Sequence, residues 1–169
     1  MAKGVKDIDR GWQDIVKMFK RQRRGVASAV GVQGVEALAN REGISNAELA
    51  AVHEFGTNDR RIPERSFLRS TFDENKGEYK RDIDKLVGQT VDRVKAGAPS
   101  GLVLEGELRL LGEDYRKDIL RRINAGIRPD LKPATKKRKK GETTPLIDTG
   151  QLRNSISVVV EDRAALPRT

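Results

Sequence analysis

The sequence predicts an α+β domain in which a small antiparallel sheet packs against a long helical hairpin, and three observations carry that prediction. Segments 26–32 and 155–160 alternate larger with smaller side chains, the period of a strand with two unlike faces. Segments 67–95 and 102–124 repeat apolar residues at three- and four-residue spacing, the period of an amphipathic helix. Gly97, Pro99 and Gly101 separate those two segments by a turn short enough to fold them into an antiparallel pair. The strands lie near opposite ends of the chain, so their pairing closes one domain over residues 25–161 around the hairpin, with an arm before it and a fraying tail at 162–169.

In chain order, Ile8, Trp12, Ile15 with Val16, and Phe19 mark an N-terminal amphipathic helix or arm within residues 1–24. Val26-Ala27-Ser28-Ala29-Val30-Gly31-Val32 is the first strand, and alanine and glycine on one face leave room for close packing there. Residues 34–45 are rich in small side chains and read equally well as several elements. Ser45-Asn46-Ala47-Glu48 forms a capping box, starting a short helix through Leu49, Val52 and His53 that Gly56 ends. Asn58 to Pro63 is a polar loop. Ser66 caps the next helix, whose expected buried stripe is Phe72, Tyr79, Ile83, Leu86, Val87, Val91 and Val94. The second long helix places Leu104, Leu108, Leu111, Tyr115, Ile119 and Ile123 on one face and stops at Gly126 and Pro129. Residues 127–150 are expected to be a long connection, and Ile156, Val158 and Val160 belong to the last strand. Two strands alone are marginal in water, so an exposed sheet edge and self-assembly are expected.

The chain has 169 residues, 36% hydrophobic, 4% aromatic and 35% charged, which describes one lean core under a well-solvated surface. No apolar run is long enough to span a bilayer, and the N-terminus has no signal-peptide h-region. Without cysteine, disulfides, thiol nucleophiles and thiolate metal sites are excluded. The net charge of +9 is concentrated in two segments free of acid. The first holds Lys17, Lys20, Arg21, Arg23 and Arg24, and the second holds Lys132, Lys136, Lys137, Arg138, Lys139 and Lys140. Such patches attract phosphate backbones or acidic protein faces, or simply keep a loop solvated. No aromatic side chains interleave with them, which disfavours a base-stacking platform.

Catalytic chemistry finds little support. His53-Glu54 is the one pairing suggestive of acid–base or metal work, but a zincin helix needs a second histidine where Thr57 stands. Asp148-Thr149-Gly150 matches the triplet around an aspartic-protease carboxylate, yet occurs once, where two carboxylates must share a proton. A turn-capping role for Asp148 fits better. No phosphate-binding glycine fingerprint is present. The expectation is therefore a protein that is not an enzyme, with no catalytic residues, no cofactor and no metal.

Two ordered segments carry a more specific signal. The first is Leu49-Ala50-Ala51-Val52-His53-Glu54-Phe55-Gly56-Thr57 followed by Ile62-Pro63-Glu64-Arg65-Ser66-Phe67-Leu68-Arg69. The second is Pro145-Leu146-Ile147-Asp148-Thr149-Gly150-Gln151-Leu152-Arg153-Asn154-Ser155-Ile156. Together they resemble the bacteriophage virion-morphogenesis proteins, the neck or tail-completion subunits that join a DNA-filled head to a tail. The similarity spans roughly residues 45–160 and includes the lysine-rich loop after Lys132-Pro133-Ala134-Thr135. It implies a structural virion subunit that assembles with itself into a ring, commonly a hexamer. Its partners would be the head connector or adaptor on one side and the tail terminator or tail tube on the other, with DNA in the lumen and no membrane.

On that resemblance the motif and interface residues are Glu54, Phe55, Gly56, Thr57, Pro63, Arg65, Phe67, Leu68, Arg69, Asp148, Thr149, Gly150, Leu152 and Arg153. Phe67 and Leu68 are expected to anchor the loop in the core, with Arg65 and Arg69 facing outward toward carboxylates of the next subunit. Gly56 permits a sharp exit from the short helix and Pro63 stiffens the approach to the long one. Lys136, Lys137, Arg138, Lys139 and Lys140 are candidate contacts to DNA or an acidic partner. The alternative function is a basic nucleic-acid-binding accessory protein using the same lysines.

Overall fold

The structure is a computed structural model that describes residues 26–41, 43–98, 100–138, 144–147 and 150–162. The expected N-terminal helix with its basic cluster, and residues 163–169 of the expected tail, lie outside these residues; Asp162, expected to open the fraying tail, instead ends the last strand opposite Val26. Strand β1 (Val26–Val32) leads to a one-turn helix α1 (Val35–Leu38), a miniature ladder β2 (Asn40–Arg41) and β3 (Ile44–Ser45), and helix α2 (Asn46–Phe55). The hairpin follows as α3 (Arg69–Lys95) and α4 (Ser100–Ala125). Short helices α5 (Pro133–Arg138) and α6 (Gln151–Asn154) precede strand β4 (Ile156–Asp162). The fold is α+β, with a small antiparallel sheet packed against helices.

β1 and β4 pair antiparallel from Val26 opposite Asp162 to Val32 opposite Ile156, so the two ends of the described chain close on each other. The β2–β3 ladder is separate and adds no strand to that sheet. Helix α4 lies directly on the sheet, and the approach is set by one glycine. A Cβ at Gly112 would stand 2.5 Å from both Ser28 Oγ and Val158 Cγ1, closer than any packed side chain tolerates. Gly112 is thus the point where helix backbone meets strand side chains.

The main core gathers Ala50, Phe67, Ile119, Ile123, Ile127, Leu146, Leu152 and Ile156, where α3 begins and α4 ends, rather than along the whole hairpin. Helix α3 packs against α4 alone among the helices and strands of comparable length, which narrows its buried strip. Tyr79, Leu86 and Val94 are buried as the periodicity predicts, together with Thr71 and Thr90. Phe72, Ile83 and Val87, expected on the same stripe, are 49%, 43% and 48% exposed. A helix with a single helical neighbour buries about two residues per turn pair, and the rest of a wide apolar stripe stays on the flank.

The capping box at Ser45 forms as expected: Glu48 N–H donates to Ser45 Oγ at 3.2 Å and Ser45 N–H to Glu48 Oε2 at 2.8 Å. Residues 127–150 differ from the long connection expected of them, because Pro133–Arg138 forms α5. Proline at the first helical position followed by alanine and long basic side chains favours a helical turn, and Lys132 C=O accepts from Thr135 and Lys136 N–H.

Candidate functional site

The first motif folds into a single knot that ties α2 to the start of α3. At its centre is Glu54, on the last turn of α2, whose side chain is 4% exposed. Its carboxylate accepts from the backbone N–H groups of Phe67, Leu68 and Arg69, each at 2.9 Å. Ser66 Oγ donates to it at 2.7 Å and Arg69 Nε at 3.2 Å. The first N–H groups of a helix have no partners within the helix and carry partial positive charge, so a buried carboxylate satisfies both needs at once. Burial alone would push the Glu54 carboxyl up. The hydrogen bonds from Leu68, Arg69, Ser66 and Phe67 outweigh it and hold the group below the ordinary glutamate value. Five donors engage the carboxylate, so its role is to seat a helix, and Ser66, expected as the cap, is secondary: its Oγ accepts from Ser70 N–H at 3.1 Å.

The chain between Glu54 and Phe67 must double back within a short span, and the motif residues explain how. Gly56 has φ +73° and its N–H closes α2 onto Val52 C=O at 2.8 Å. A Cβ there would meet Glu64 N at 2.8 Å and Ile62 O at 3.1 Å, so glycine is required both by conformation and by space. Thr57 shapes the loop beyond: its N–H donates to Ile62 C=O at 2.9 Å, and its Oγ1 donates to Asp59 Oδ1 and accepts from Ile62 N–H. Pro63 lies in the returning segment before Arg65, whose N–H donates to His53 C=O at 2.8 Å. Phe67 is fully buried in the core, and Leu68 is half-buried against it, as expected. Tyr115 on α4 donates its hydroxyl to Leu68 C=O at 2.7 Å, and burial, with the nearby Glu54 and Asp73 carboxylates, pushes that phenol up to about 12.

Of the two arginines expected to face outward, Arg69 is exposed and Arg65 is not. Arg65 is only 5% exposed and points inward, with Nε donating to Pro129 C=O at 2.7 Å and Nη2 to Asp130 C=O at 3.2 Å. Burial lowers its pKa and the Asp130 charge partly restores it. Arg69 bridges Glu54 and Glu64, at 3.2 and 2.8 Å, and its guanidinium lies 4.7 Å from the centre of the Phe55 ring. Both cations are therefore used within the chain. Spacing one helical turn apart did not reveal this, because Arg65 precedes the helix and its side chain reaches the loop after α4 instead.

That loop connects the knot to the basic segment. Arg65 fixes the backbone at Pro129 and Asp130, three residues before α5 begins, and Lys136 on α5 reaches the Asp130 carboxylate at 3.6 Å. Lys137 and Lys132 are exposed and Arg138 ends the helix. Lys139 and Lys140 lie outside the described residues.

Of the second motif, Asp148 and Thr149 also lie outside the described residues. Gly150 has φ +76° and opens α6, Leu152 is 4% exposed in the core, and Arg153 donates to Asn124 Oδ1 at 3.3 Å. The two motifs thus meet in the same core through Phe67, Leu146, Leu152 and Ile156.

Elsewhere, an open groove lies between α3 and α4 beside Thr71, Asn75 and Arg128, and the pairs Arg122–Glu74 and Arg121–Asp118 line it. Among the described residues no group of three acidic or histidine side chains is placed to hold a metal ion, and no helix is long and apolar enough to cross a membrane. Compared with protein-family models, curated proteins and solved structures, the chain matches none.

Proposed function

We propose that the chain is a structural subunit of a tailed-phage virion, a ring-forming tail-completion or neck protein that joins the DNA-filled head to the tail. The observation that carries this reading is the ordered pair of motifs, which resembles the virion-morphogenesis proteins across the domain. What supports it in the geometry is that the first motif's residues act together in one knot within this chain. Surfaces suited to repeated contact accompany it. Among the described residues both outer edges of the β1–β4 sheet are unpaired, and Phe72, Ile83, Val87 and Leu110 expose apolar area along the hairpin. In this reading subunits meet through edge-strand and hairpin contacts, while loop 56–65 and the segment 127–150 engage the rings above and below. Electron microscopy of the purified protein, alone and mixed with a head connector, tests it. Closed rings or connector-bound rings are expected; dispersed single subunits under both conditions contradict it.

A second reading, a basic nucleic-acid-binding accessory protein, is favoured by one observation. Lys132 just before α5 and Lys137 on it are exposed, next to a loop whose backbone Arg65 holds at Pro129 and Asp130. Its affinity for duplex DNA would fall steeply with salt, since each lysine–phosphate contact releases counterions. Changing Lys136, Lys137, Arg138, Lys139 and Lys140 to Ser would abolish that binding and leave ring formation unchanged.

A further inference from the structure

The most exposed large apolar side chains among the described residues are Val35 and Leu38, at 81% and 76%. They lie one turn apart on α1, and the exposed Glu36 stands between them in the chain. This single turn is firmly seated. Ala37 is buried beneath it, and Asn46, at the start of α2, donates its side-chain amide to Glu36 C=O at 2.8 Å and its backbone N–H to Ala39 C=O at 3.0 Å. Helix α1 is thus a fixed knob that carries two apolar side chains and one acid outward.

The flank of α3 offers the counterpart. Phe72, Lys76, Lys80, Ile83 and Val87 follow at spacings of four, four, three and four residues, so they share one face, and all five are exposed. Asp73 and Asp84 fall on the adjoining flank. Among the described residues Lys76, Lys80 and Glu36 make no ion pair. Charge decides which surfaces can meet. If the α3 strip met its own copy across a two-fold axis, Lys76 and Lys80 of both chains would share one seam; if knob met knob, Glu36 would face Glu36. Pairing knob with strip removes both repulsions and sets an acid against two bases. The apolar pairs match in reach, because Val35 with Leu38 and Ile83 with Val87 are helical neighbours with Cβ atoms about 5–6 Å apart. We infer that α1 of one subunit packs on the Phe72–Val87 flank of α3 in the next copy of this chain, a contact between unlike surfaces. Every subunit then presents one knob and one strip, the arrangement that passes from copy to copy and closes into a ring when the rotation fits. The inference rests on the self-assembling reading above and names the surfaces that meet.

The test uses the full chain and light scattering, under conditions where the unaltered protein assembles, with far-ultraviolet dichroism unchanged in every variant. A knob variant, Val35→Asp with Leu38→Asp, and a strip variant, Ile83→Glu with Val87→Glu, should each have the mass of a single chain. Mixed in equal amounts at high concentration, they should give pairs of twice that mass and nothing larger, because each variant supplies the surface that the other lacks. A knob variant that keeps the parent mass, or a mixture that stays at single-chain mass, would overturn the contact and leave the ring reading standing on the multimeric parent. A parent that is a single chain with and without a head connector would defeat the ring reading, and the contact with it. Charge reversal replaces any apolar variant that misfolds. Glu36→Lys, and separately Lys76→Glu with Lys80→Glu, should each lower the multimer fraction several-fold, and all three changes in one chain should restore it. No loss, or no restoration, would overturn the contact.

Discussion

Glu54 spends its carboxylate on the start of α3, and its removal leaves three backbone N–H groups without their acceptor. Glu54→Gln keeps the shape but sets an amide NH2 against those donors, and should cost about 2 kcal/mol, read as a shift in urea midpoint. The same residue makes stability pH-dependent. Its folded pKa lies below its unfolded one, so the unfolded chain binds more protons in acid. The contribution is complete above the ordinary glutamate pKa of about 4.3 and disappears as pH falls through the lower folded value. Urea midpoints of wild type and Glu54→Gln should therefore converge in acid and separate at neutral pH. Ser28 works in the opposite direction: its Oγ is buried with no hydrogen-bond partner among the described residues. Ser28→Ala should stabilise by about 1 kcal/mol, since an unsatisfied buried hydroxyl is lost with little volume. At this scale the sequence was informative about identity but not about partners. Glu54, Gly56, Phe67 and Arg69 stand out from the motif, and Gly56 and Phe67 play the roles assigned to them. That Glu54 caps a helix beginning fifteen residues later is a tertiary fact with no local period to announce it.

Among elements, helix α4 carries most of the fold's geometry, touching the sheet, α3 and the core at once. Gly112→Ala poses a contest of known sign. Alanine favours a helix by about 1 kcal/mol over glycine, but its Cβ would press on Ser28 Oγ and Val158 Cγ1 at 2.5 Å. Overpacking at a rigid strand should prevail, giving a net loss of about 1–3 kcal/mol in thermal or urea unfolding. Arg65 makes a corresponding prediction for the loop after α4. Arg65→Met keeps the bulk but drops the bonds to Pro129 and Asp130, so trypsin should cut the Lys132–Lys137 segment several-fold faster, with the melting temperature little changed. The hairpin and both long strands were legible because each repeats its period over many residues. α1, the β2–β3 ladder and α5 were not, being two to six residues long and decided by neighbours rather than by pattern. The exposed part of the α3 stripe has a related cause. Periodicity reports which residues are apolar, while the number of neighbouring elements decides how many of them are buried.

The whole molecule pairs a core concentrated around the two motifs with a hairpin that extends beyond it, ending in a small satellite cluster at Val91 and Val94. Among the described residues, free sheet edges and the apolar flank of α3 are surfaces of the kind that repeated subunits cover. The central claim is that this chain assembles with itself, and mass in solution tests it most directly. Light scattering behind a sizing column, run on the protein and on an Ile83→Glu, Val87→Glu double variant with unchanged far-ultraviolet dichroism, makes the comparison. The account predicts a closed multimer that the double variant converts to single chains. A single-chain mass for the unaltered protein at every concentration, with and without a head connector present, would contradict it.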